Sequence, residues 1–170
     1  MAGSLKLIQE TELSSTTGTV TLTGIDSTYS VYMLVMNGVE QTTGTVHVYR
    51  FQSSGSDLTA SNYNKTGWRY NPSSQTNVGD ANVAWYFPDT SSASGKPYSA
   101  VHYIFCAPIS NAYTLITTNA GSSNTRNYQK GGGVYKSEVA VDGISILAFN
   151  TTPGDGVFSA GKFSLFGLVD

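Results

Sequence analysis

With 170 residues, nine basic and eleven acidic side chains and a formal charge of −2, the chain lacks any Lys/Arg cluster that could neutralise several neighbouring phosphates, which argues against nucleic acid as a partner. Charged residues make up only 12% of the chain, about half the usual globular share, and 42 Ser and Thr supply its polarity instead. Cys106 is the only cysteine, which excludes an intrachain disulfide and multi-cysteine zinc sites, and the longest apolar run, 31–36, is far below the roughly 20 residues that span a bilayer.

The start of the chain lacks the basic and apolar regions of a signal peptide, so synthesis in a cytoplasm without export or membrane contact is expected. Eighteen glycines, eleven tyrosines and many Val, Ile and Thr point to strands joined by tight turns. No window of a dozen residues repeats at 3.6, so very little helix is expected.

The first predicted strands cover about 5–9, 18–23, 29–37 and 44–52, with turns at Asn37-Gly38 and Thr43-Gly44. The run from Val31 to Met36 is apolar on both parities, so one face wants cover beyond an ordinary sandwich core. A neighbouring subunit is the preferred cover, with a loop of the same chain or a fully buried central strand as the other readings. Tyr32, Leu34 and Met36 are therefore candidates for a subunit interface.

Residues 53–81 follow, long and rich in Ser, Asn and Gly, with Tyr63, Trp68 and Tyr70 as their conspicuous side chains. Together with 119–133, which carries Arg126 and Tyr128, they read as two long polar loops, where recognition commonly resides. The competing reading is a pair of irregular edge hairpins. Exposed rings among amides and hydroxyls suit either a glycan or a wet protein interface, and interface contact is preferred.

Further strands are predicted at 82–88, 98–107, 112–118, 134–140, 143–150 and 161–169. Alternation places Val83, Trp85 and Phe87 together and makes Trp85 a core residue. His102 and Ile104 lie in a second run that is apolar on both parities and join the interface candidates. Asp142-Gly143, between two apolar triplets, reads as a two-residue type I′ hairpin. In the last strand Phe163 and Leu165 should face the core, leaving Phe166 and Leu168 for a subunit contact. The expected architecture is all-β: a single antiparallel sandwich domain over 1–170, of jelly-roll type by strand count.

Chemistry is sparse. His47 and His102 sit mid-strand, where a histidine is a hydrogen-bonded sheet residue more often than a base, and Cys106 in an apolar strand behaves as a small hydrophobe. No Gly-x-Ser-x-Gly elbow occurs, and Gly131-Gly132-Gly133-Val134-Tyr135-Lys136-Ser137 departs from a phosphate loop in having Tyr135 before the lysine and a strand after it. Asp26, Asp142 and Asp155 suit Asx turns rather than a calcium ladder. No catalytic residue, metal or cofactor is expected.

Met1-Ala2-Gly3-Ser4-Leu5-x-Leu7-Ile8, Leu22-Thr23-Gly24-Ile25-Asp26-Ser27-Thr28-Tyr29-x-Val31-Tyr32, Val46-x-Val48-Tyr49-Arg50-Phe51 and Phe158-Ser159-x-Gly161-x-Phe163-Ser164-Leu165-Phe166-Gly167-Leu168 resemble segments of small jelly-roll structural proteins of tailed-bacteriophage virions. That group often has Tyr where Phe166 stands, and 53–135 has no counterpart in the resemblance. The resemblance implies a homo-oligomer, a trimer by preference, that contacts other virion proteins such as the major capsid or tail proteins. A capsid decoration, cement or head-fibre subunit ranks first, since the first strand begins by about Leu5 without a shaft. The alternative is a tail-fibre or carbohydrate-binding module that attaches to a host surface glycan.

Overall fold

A computed structural model of the chain describes residues 4–43, 46–86, 95–123 and 126–169. Residues 1–3 of the terminal motif, Gly44 of one predicted turn and Phe87 lie outside the described residues. Twelve strands occur among the described residues: β1 Ser4–Glu12, β2 Thr19–Thr23, β3 Val31–Thr43, β4 Val46–Ser53, β5 Ser56–Asp57, β6 Tyr63–Asn71, β7 Ser74–Val83, β8 Tyr98–Phe105, β9 Thr114–Ser122, β10 Asn127–Tyr135, β11 Gly143–Phe149 and β12 Val157–Val169. They form an antiparallel eight-stranded sheet in the order β1-β12-β3-β8-β9-β10-β6-β7 and a four-stranded sheet in the order β2-β11-β4-β5.

Setting aside β6, β7, β9 and β10 leaves β1-β12-β3-β8 over β2-β11-β4-β5, with the chain alternating between the sheets except at β4 and β5, which follow one another in the smaller one. That is the eight-stranded jelly roll, an arrangement that buries one face of each sheet against the other. The four remaining strands extend the larger sheet beyond β8.

Those four strands overturn the loop reading of 53–81 and 119–133 and match the edge-hairpin reading. β6 pairs with β7, β9 with β10, and β10 with β6, so two hairpins from distant parts of the chain share one sheet. Their Ser, Asn, Gly and Thr lack the apolar alternation that marks a half-buried strand, because neither face of this extension carries a full core layer. Backbone pairing holds them instead. Gly131 of β10 stands directly opposite Gly67 of β6, and a Cβ on either would press into the other strand's backbone.

Other expectations also move. β7 ends at Val83, and beyond it only Tyr86 of the predicted 82–88 strand pairs among the described residues, exchanging backbone hydrogen bonds of 2.9 and 2.8 Å with Tyr49. Trp85 lies half-buried at the core margin, its ring 5.8 Å from that of Phe149 and under the Arg50 guanidinium. β10 stops at Tyr135, and Cys106 sits just past β8 at a φ of 60°, outside the strand.

Asp142-Gly143 is not a hairpin turn. Val141 N–H donates to Ala107 O at 2.6 Å and Asp142 N–H to Gln52 O at 2.9 Å, so the segment crosses from the large sheet to the small one, where β11 pairs with β2 and β4. Asp26 does make an Asx turn, accepting from Thr28 N–H at 2.8 Å, and the buried Tyr32 hydroxyl donates to Asp26 O at 2.6 Å, tying the β2–β3 connection to the core. Asp155 accepts from the Thr151 hydroxyl at 2.6 Å and from the backbone N–H groups of Asn150, Thr151 and Thr152, which together hold its carboxyl well below the usual range.

Candidate functional site

Successive residues of a strand point to opposite faces, so one parity of β3 and β8 looks into the sandwich and the other looks out. Tyr32, Leu34, Met36, His102 and Ile104, expected at a subunit contact, all point inward and are fully buried in the chain's own core. With both parities apolar, alternation cannot tell which side is the core. Phe163 and Leu165 are buried as expected, and Phe166 and Leu168 lie half-buried on the outer face.

That outer face has two chemistries. Its first part is apolar: Leu5 lies opposite Leu168, Leu7 opposite Phe166, Phe166 opposite Met33, Met33 opposite Tyr103, Val31 opposite Phe105, and Phe105 opposite Leu115. The band thus crosses β1, β12, β3, β8 and β9. Leu5, Leu7 and Leu115 are 52%, 47% and 44% exposed.

The second part, over β9, β10, β6 and β7, is aromatic and amide-rich. Trp68 is 45%, Tyr70 38% and Tyr128 46% exposed. Tyr128 lies directly opposite Tyr70, with ring centroids 6.1 Å apart, and its hydroxyl donates to Asn119 Oδ1 at 3.0 Å. Lys130 stands opposite both Trp68 and Asn119. A shallow depression of about 600 Å³ lies beside Trp68, floored by Gly132, and another of about 590 Å³ is bounded by Tyr70, Tyr128 and Arg126. Four of the five residues proposed for glycan or partner contact, Trp68, Tyr70, Arg126 and Tyr128, therefore share one face.

Tyr63 does not join them. Its ring is buried beside Phe51 and Tyr135, and its hydroxyl accepts from Phe51 N–H at 2.9 Å and donates to Leu58 O at 3.0 Å. The register explains this: Tyr63 is an odd position of β6, on the inner face, whereas Trp68 and Tyr70 are even.

Between the sheets runs a polar chain that sequence reading missed. His47 Nε2 is 3.1 Å from the Tyr49 hydroxyl, which is 2.9 Å from His102 Nε2; His102 Nδ1 is 3.0 Å from Thr118 Oγ1, itself 2.7 Å from the Tyr86 hydroxyl. Both histidines are lowered to about 3 by desolvation on burial, with the nearby His102 a second cause at His47. The available signal was that His47, Tyr49, His102 and Thr118 occupy the same parity as core positions of their strands; Tyr86 gave none, since alternation puts Trp85 and not Tyr86 on the core side. Among the described residues, no group of three or more His, Cys, Asp or Glu is placed to hold a metal ion.

Comparison of the chain with protein-family models, with curated proteins and with solved structures finds no match to any of them.

Proposed function

We propose that this protein is a non-enzymatic structural component of a bacteriophage virion, made in the host cytoplasm and acting as a capsid decoration, cement or head-fibre subunit by packing against copies of itself. The observation that carries the reading is the apolar band across β1, β12, β3, β8 and β9. A half-exposed Leu or Phe removed from water contributes on the order of 1 kcal/mol, so a band of this extent favours association by several such increments. The likeness of the chain's ends to small virion proteins supports the same direction, and a closed trimer is the favoured assembly. The amide-rich extension then faces a major capsid or tail protein, or solvent.

Sedimentation equilibrium at tens of micromolar should report a trimer or larger closed oligomer. The double variant Leu7→Ser/Phe166→Ser, which touches only the outer face, should sediment as a folded monomer. A wild-type chain that is monomeric under these conditions sinks the packing role. Mass spectrometry of separated heads and tails, with copy number, tests the position: hundreds of copies on heads fit decoration, and tail-only recovery favours the receptor-binding alternative.

A further inference from the structure

The packing role leaves the face over β9, β10, β6 and β7 unused. We propose that this face is a binding site for an acidic polysaccharide, whose rings stack on Trp68, Tyr70 and Tyr128 and whose carboxylates meet Lys130 and Arg126.

Trp68 and Tyr70 are two residues apart on one strand, which places them on one face about 7 Å apart. Tyr128 continues the row across the strand gap at 6.1 Å from Tyr70. Flat rings on a paired sheet offer apolar area at small entropic cost, the surface that the C–H faces of a sugar need. Next to Trp68 the sheet is low, because Gly132 and Gly79 flank Thr66 across the ladder. This leaves the depression beside Trp68, with Thr66, Thr117 and Asn119 on its walls to satisfy hydroxyls.

Charge selects the acidic class. The four strands carry one carboxylate, Asp80, and it is engaged by Lys65 at 3.1 Å. Lys130 lies opposite Trp68, and Arg126 borders the depression with Tyr70 and Tyr128; neither forms an ion pair among the described residues. This face is locally basic on a chain whose formal charge is −2. Two cations are too few to track a phosphate backbone, yet enough to favour a polymer with one carboxylate per few sugars.

The proposal stands independently of the virion reading, since it uses none of the apolar band. Affinity electrophoresis of the full chain through gels containing alginate, polygalacturonate, hyaluronate or polysialate tests it. At least one of these should retard the protein, dextran should not, and raising the salt should relieve the retardation. Trp68→Ala should weaken the interaction about tenfold with an unchanged melting temperature. Arg126→Gln/Lys130→Gln should remove both the retardation and its salt dependence. The proposal is overturned if none of the four polymers retards the protein, if dextran does so equally, if Trp68→Ala has no effect, or if oligo(dT) binds while the polysaccharides do not. Loss of the oligomer with retained polysaccharide retardation would reject the packing role alone.

Discussion

Lowering the pH from 7 to 4.5 is expected to remove most of the protein's stability. His47 and His102 are fully buried, and desolvation holds both near 3, so the folded state keeps them neutral while an unfolded chain takes up protons from about 6.5 downward. The unfolded state then binds more protons, so stability is fully present above pH 6.5 and falls as the pH drops toward the folded values. Each group costs about 1.4 kcal/mol per pH unit, so the pair costs about 5 kcal/mol by pH 4.5, comparable with the whole stability of many domains. Among the described residues no carboxylate contacts either ring: His47 is flanked by the Tyr98, Tyr49 and Phe158 rings, and His102 by Tyr49 and Thr118. Below this window Asp26, Glu10 and Asp155, each held low by hydrogen bonds, add losses of the same sign. Urea melts from pH 7.5 to 4.5 should give a slope that rises to near two protons between about pH 5.5 and 4.5, and His47→Phe should reduce it there to about one. A slope well below one proton in the wild type contradicts the buried neutral pair.

Gly131→Ala should destabilise the protein by about 3 kcal/mol, the upper end of ordinary overpacking. A Cβ there would lie 2.5 Å from Thr66 O and 2.8 Å from Gly67 Cα, and both are backbone atoms of the paired strand, which cannot rotate away. The β6–β10 pairing must open, displacing Lys130 and Trp68, so polysaccharide retardation should fall with it. Gly121→Ala on β9 is the control. Its Cβ meets nothing within 4 Å, and removing a glycine's freedom from the unfolded chain makes that change neutral or mildly stabilising. Equal unfolding midpoints for the two variants would show that the close approach of β6 and β10 is absent.

The jelly roll was legible where chemistry alternates or clusters. β2, β4, β8, β11 and the body of β12 fall where Val, Ile, Tyr and Phe concentrate, and turn residues bound them. Of the extension only the first half of β9 was legible, since strands such as Ser74–Val83 and Asn127–Tyr135 have compositions typical of loops, and the two hairpins owe their order to the β6–β10 pairing between distant parts of the chain. Face assignment failed for a different reason. Val31 to Met36 satisfies the core on either parity, and only the partner register with β8 and β12 makes Tyr32 and Leu34 inward and Met33 outward. The proposed binding face was half legible: ring-and-amide composition picked out Trp68, Tyr70, Arg126 and Tyr128, while Tyr63 differs from them in parity. Asp142-Gly143 misled because a pair favoured in type I′ turns serves here in a crossover between sheets.

The place of β12 also bears on how the chain reaches this state. It lies between β1 and β3, pairing Ser4 with Val169 and Gly167 with Tyr32, so two of the earliest strands meet only through the latest one. During synthesis β1 and β3 therefore wait as open edges until residues 157–169 leave the ribosome, and such edges invite pairing with other chains. Contacts of this sequence separation also make folding slow. Expression yield should thus depend more on temperature and chaperone supply than the modest size of the chain suggests.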